Sequence, residues 1–86
     1  MRDDDKVRPT TLAAAAAFFG KPWSTIRDWP SRYDSPRVGK VGRLVYYDMR
    51  DLETIDAFKN LGKPIPSHEE RMRYRRESAA PRVSAA

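Results

Sequence analysis

The chain has no cysteine, so neither a disulfide framework nor a thiolate metal site can form within it. Its single histidine, His68, falls on the C-terminal tail and is expected to lack a partner for nucleophilic or metal chemistry. Only four glycines are present, and none belongs to a loop leading from a strand into a long helix, so nucleotide binding has no support. The longest apolar run, Leu12 to Phe19, is far short of the roughly 20 residues that cross a bilayer. The segment before it carries Asp3, Asp4 and Asp5 instead of the basic region of a secretory signal. These absences lead us to expect a soluble, cytoplasmic, non-enzymatic protein with no catalytic residues, no metal, no cofactor and no membrane association. The lack of cysteine fits a reducing compartment.

What is present is positive charge, unevenly placed. The 86 residues are 40% hydrophobic, enough for one domain with a small core. A compact unit of about 50–60 residues would leave both ends as appendages. We therefore expect an arm over 1–9, a folded domain over 10–62, and a proline-containing linker with a basic tail over 63–86. The net charge is +5, and residues 21–50 alone hold seven cations against three anions. That concentration is the footprint expected for a polyanionic partner; a generally basic, solvated surface is the plainer alternative.

The periodicity places the elements. Val7 and Arg8 suit a short edge strand before Pro9. Thr10 or Thr11 caps a first helix through Phe19, with Leu12, Ala15, Ala16 and Phe19 on one face. Gly20 ends it, and Pro22 opens a second helix expected to run to Trp29 and to stop at Pro30. Ser31 to Pro36 reads as a loop. Arg37-Val38 and Leu44 to Tyr47 read as strands of a hairpin turning over Gly39 to Gly42. Asp48 caps a third helix from Met49 to about Leu61, with Leu52, Ile55 and Phe58 as its buried stripe and Gly62 as its end. Lys63-Pro64-Ile65-Pro66 is an extended spacer. Ser67 and Glu70 form a capping box for a further helix to about Glu77.

Two helices joined by a tight turn, followed by a cationic hairpin, can read adjacent grooves of one DNA duplex. On the second helix, Arg27 is expected to face outward, where a guanidinium pairs bidentately with guanine edges. A surface pairing with Asp28 or Asp34 is its alternative. Ser24 and Thr25 are short donors for phosphate or base, Lys21 stands at the start of the helix, and Arg32 adds charge just beyond it. Ile26 and Trp29 face inward. For Trp23 we expect core packing, with stacking on sugar-phosphate as the alternative. Lys40 and Arg43 flank the hairpin turn and suit a narrow minor groove, or else serve as edge charges against strand aggregation. Arg71, Arg73, Arg75 and Arg76 form a tail that tracks phosphate, docks a protein, or is simply solvated.

The order Thr11-Leu12-Ala13, Phe19-Gly20, Ser24-Thr25-Ile26-Arg27-Asp28-Trp29, Arg37-Val38-Gly39, Gly42-Arg43 and Asp51-Leu52 resembles the excisionases. These are recombination directionality factors of phages and integrative elements, related to MerR-like winged helix-turn-helix proteins. The resemblance covers about residues 10–60 and implies an α+β fold: three helices plus a β-hairpin wing, with a flexible N-terminal arm and a basic C-terminal tail. It also implies that the second helix enters the major groove through Ser24, Thr25 and Arg27, while Arg43 of the wing meets the minor groove and Lys40 the backbone. Asp28 departs from the pattern, where a basic residue is common. The implied partners are attachment-site double-stranded DNA, a tyrosine recombinase (integrase), and further copies of the chain assembled head-to-tail, in a nucleoid-associated setting. Charge suggests the acidic arm and the basic tail as the head-to-tail contacts. A transcriptional regulator of the same fold and a protein-interaction adaptor using the basic tail are the alternative functions.

Overall fold

The computed structural model describes residues 7–79, and the acidic run Asp3 to Asp5 lies outside them. Helix α1 (Leu12–Phe19) starts at Thr11, whose side-chain oxygen accepts the Ala14 amide at 3.1 Å. It ends at Gly20, where the amides of Gly20 and Lys21 donate to the carbonyls of Ala17 and Ala16 at 3.2 and 3.0 Å. Gly20 holds φ +66°, a left-handed backbone that a residue without Cβ adopts at little cost. The first helix thus keeps its expected span.

The second does not. The chain makes one turn, α2 (Trp23–Ile26), passes through Arg27 and Asp28, and makes another, α3 (Trp29–Arg32). Pro30 does not terminate a helix; it lies in the first turn of α3, where a missing N–H breaks no intrahelical bond. Residues Ser31 and Arg32, expected in a loop, are therefore helical. Asp34 then adopts φ +60°, a conformation Asp tolerates better than most residues, and turns the chain toward the sheet.

The sheet has three antiparallel strands in the order β1 (Pro9–Thr10), β3 (Leu44–Asp48), β2 (Arg37–Val41). The N-terminal edge strand lies two residues later than expected, pairing Pro9 with Asp48 and Thr10 with Tyr47. The β2–β3 hairpin is also longer than expected. Val41 pairs with Leu44, so Gly39 and Lys40 lie within β2 and the turn shrinks to Gly42-Arg43. A register shift between Arg37 and Gly39 leaves Val38 as an extra residue, a bulge that twists the strand.

Helix α4 (Met49–Asn60) is capped by Asp48, whose carboxylate accepts the Arg50 amide at 3.0 Å. Leu52 and Ile55 are fully buried, while Phe58 is half-buried with its ring 5.3 Å from Tyr74. Helix α5 (His68–Ala79) begins with the expected contact, Ser67 accepting the Glu70 amide at 3.2 Å and donating to its carboxylate at 3.0 Å. Ala15, Ala16, Ile26, Trp29, Leu52 and Ile55 make the core, with Leu12, Phe19, Tyr33, Tyr47, Met49 and Ile65 around it. The molecule is an α+β fold, and no helix among the described residues is long and apolar enough to cross a membrane.

Two ion pairs join α5 to the rest, one of them fully buried. Arg71, expected on an exposed tail, is completely buried, and so is Asp51. The Arg71 guanidinium donates through Nε and Nη2 to both Asp51 oxygens at 2.8 and 2.9 Å, and through Nη1 to the Pro66 carbonyl at 2.8 Å. Ser35 donates its hydroxyl to Asp51 at 2.6 Å. Arg75 adds a contact to Asp48 at 3.2 Å. Burial alone would raise the Asp51 pKa, but the hydrogen bonds from Arg71 and Ser35 and the Arg71 charge outweigh it and hold the carboxyl below its ordinary value.

Removing one member of such a pair strands a buried charge, so Arg71→Ala is expected to lower the unfolding free energy by about 3–5 kcal/mol. Urea unfolding measures that loss, and a change within about 0.5 kcal/mol contradicts the assignment. Because the folded carboxyl is depressed, its stabilisation is fully present above the unfolded pKa of about 3.9 and is lost as pH falls through the lower folded value. Stability measured from neutral pH downward should hold to about pH 5 and then decline. In Asp51→Asn the starting stability should be lower and the acid decline shallower.

Candidate nucleic-acid interface

The helical half of the candidate site is the short α2 and its flanks. Ile26 turns inward, fully buried, and leaves Ser24 and Thr25 exposed on the other side of the turn. Arg27 is not in mid-helix as expected; it is the C-cap of α2, with its amide donating to Trp23 at 2.9 Å. Its side chain is 54% exposed and lies 3.8 Å from Asp28, whose carboxylate is equally open to water. An exposed pair at that distance contributes little and leaves the guanidinium available.

Trp23 corrects another expectation. It does not complete the core: it is 51% exposed, whereas Trp29 is 2% exposed. The Trp23 ring instead faces the Arg27 guanidinium, whose carbon is 5.6 Å from the ring centroid. A cation over an indole face is an attractive arrangement worth roughly 0.5–1 kcal/mol at an open site. The sequence placed Trp23 three residues before Ile26, a core spacing in a longer helix. Both residues lie within the single turn of α2, yet only Ile26 reaches the core, so the spacing alone does not decide which of them is buried.

Lys21 has a structural engagement. Its ammonium ion-pairs with Asp56 of α4, approaches the Asn60 side-chain oxygen at 3.4 Å, and sits 5.4 Å from the Trp29 ring centroid. It thereby ties the α1–α2 turn to α4, with much of its charge balanced on the spot. Arg32, the last residue of α3, is exposed and has no carboxylate partner among the described residues.

The second half is the hairpin tip. Gly42 has φ +60° and Arg43 does not, the pattern of a type II′ turn, which suits the right-handed twist of paired strands. A side chain at Gly42 would meet no neighbouring atom within 4 Å, so backbone strain alone disfavours one there. Arg43 occupies the second turn position, exposed at the extreme of the hairpin, and Lys40 lies on β2 just behind it. Neither has an acidic partner among the described residues. Arg37, at the start of β2, is likewise exposed and lacks an acidic partner among the described residues, a cation expected in the strand but not among the DNA contacts.

Two sets of cations stand out, apart from Lys63, Arg73 and Arg76 near or on α5, which are exposed without an ion pair among the described residues. Lys21, Arg71 and Arg75 are held by Asp56, Asp51 and Asp48 and serve the fold. Arg27, Arg32, Arg37, Lys40 and Arg43, on the α2–α3 segment and the hairpin, are exposed to water without a strong acidic partner among the described residues and are thus open to phosphates. Comparison with known proteins finds no family model that matches the chain, and neither a curated protein nor a solved structure that matches it.

Proposed function

We propose that the protein is a winged helix-turn-helix protein that binds double-stranded DNA and acts as an excisionase, helping a tyrosine recombinase to excise a mobile element. The observation that carries the DNA-binding reading is the sorting of charge. Cations that touch the core are neutralised, while those on α2, α3 and the hairpin are left without strong partners. In this reading α1, α2 and the turn through Gly20 form the helix-turn-helix, and Ser24, Thr25 and Arg27 contact the major groove. The β2–β3 hairpin is the wing, with Arg43 in the adjacent minor groove and Lys40 and Arg32 on phosphates. The excisionase role rests on the resemblance of residues 10–60 to that family.

Few side chains are in position to read bases, so one copy would discriminate weakly and assembly on repeated sites would supply the rest. Because Arg71 and Arg75 are engaged within the domain, head-to-tail contact from α5 falls to the exposed Arg73 and Arg76. Their engagement also weakens the adaptor alternative, which needs the whole basic cluster.

DNA affinity is expected to fall steeply between about 50 and 200 mM salt, as counterion release from several phosphate contacts requires. Arg27→Ala should relax base preference at a cost of about 1–3 kcal/mol, whereas Arg43→Ala should weaken binding more evenly across sequences. Gel-shift titrations on a randomised duplex library measure both, and full affinity and preference in Arg27→Ala would remove α2 from the interface. A recombination assay with attachment sites and integrase tests the excisionase role. Excision unchanged by the protein, alongside altered promoter output, would assign it to transcriptional regulation instead.

A further inference from the structure

We infer that Trp23 is itself a DNA-contacting residue and the positioning plate for Arg27; the inference rests on the DNA-binding reading above. Trp23 opens α2, the same turn that exposes Ser24 and Thr25. Trp23 is one of several large apolar side chains the domain leaves exposed, and it keeps about half of its surface in water while the other tryptophan is buried. Exposed aromatic surface of that size is normal at a binding centre, where Trp and Arg are the side chains most often found to dominate affinity. Here the two types are in contact.

The pairing has a physical consequence for Arg27. A free arginine samples many rotamers, and ordering it opposes binding. The Trp23 ring, 5.6 Å from the guanidinium carbon, restricts that sampling before any duplex arrives. Asp28, at 3.8 Å and exposed, does not neutralise the group, so a charged guanidinium is held beside the indole. The indole offers duplex DNA two further contacts. Its open face can pack on deoxyribose, and its N–H, a donor with no acceptor among the described residues, can reach a phosphate oxygen. The guanidinium it carries is then aimed at a base edge.

The two tryptophans differ enough in exposure for fluorescence to separate them. Acrylamide quenching of the full chain should be dominated by Trp23, and Trp23→Phe should leave only the shielded Trp29 signal. On saturation with mixed-sequence duplex DNA at low salt, quenching of the wild type is expected to fall to the Trp23→Phe level. Trp23→Ala should weaken binding about tenfold, the loss expected when an interface aromatic is truncated. In selection from a randomised duplex library it should lose base preference at the same positions as Arg27→Ala, which a purely structural role would not cause. Trp29 emission reports whether that variant is folded, and Trp23→Phe, which keeps a ring under Arg27, should retain the preference. DNA binding with undiminished quenching, or unaltered preference in folded Trp23→Ala, overturns the role of Trp23 alone. A wild type that binds no duplex at low salt overturns the DNA-binding reading and this inference together.

Discussion

Two charges with no exposure to water, Asp51 and Arg71, face each other through a bidentate pair at 2.8 and 2.9 Å. Around them converge four parts of the chain: α4 through Asp51, α5 through Arg71, the loop before β2 through Ser35, and the spacer through the Pro66 carbonyl. A pair like this is not a large net stabiliser, because desolvation offsets most of its attraction. Its value is conditional: each partner makes the other's burial tolerable. Every polar atom of the cluster finds a partner, and no buried side-chain nitrogen or oxygen among the described residues lacks one. The consequence is that α5 cannot leave without stranding a carboxylate inside the domain.

The small core explains why such a device is used. Six buried apolar residues, two of them alanines, form the centre. Each of the larger ones supplies about 1.5–3 kcal/mol at most, against a conformational entropy cost that grows with every ordered residue. Long-range polar ties supplement that core. Lys21 with Asp56 fixes the α1–α2 turn against α4, and Arg75 with Asp48 fixes α5 against the start of α4. The same ties decide which cations remain for a partner. Fold and candidate interface are in this sense two outcomes of one distribution of arginines and lysines.

Local chemistry was legible in the sequence, and distant pairing was not. Thr11, Gly20, Asp48, Ser67 and Glu70 act within a few residues of themselves, so α1, α4 and α5 start or end where those residues indicate. Asp51 and Arg71 are twenty positions apart and Lys21 and Asp56 thirty-five, and no periodicity announces either pair. The α2–α3 break was hidden by Pro30, since a proline is equally suited to follow one helix or to open the next. That ambiguity carried over to the site, because a continuous helix would have placed Arg27 in mid-helix and not at the C-cap of α2. Of the candidate residues, Ser24, Thr25, Arg27, Arg32, Lys40 and Arg43 are exposed in the structure, while Lys21 is engaged at the α4 surface.

A protein built this way separates a closed side from an open one, and amide chemical shifts report on both at once. In a titration of isotope-labelled protein with duplex DNA, the account expects progressive shifts at Trp23 to Asp28 and at Lys40 to Leu44. Asp51, Ser35 and Arg71, sealed in their buried cluster, should stay in place. Shifts confined to α5, with α2 and the hairpin tip unmoved at saturation, would contradict it.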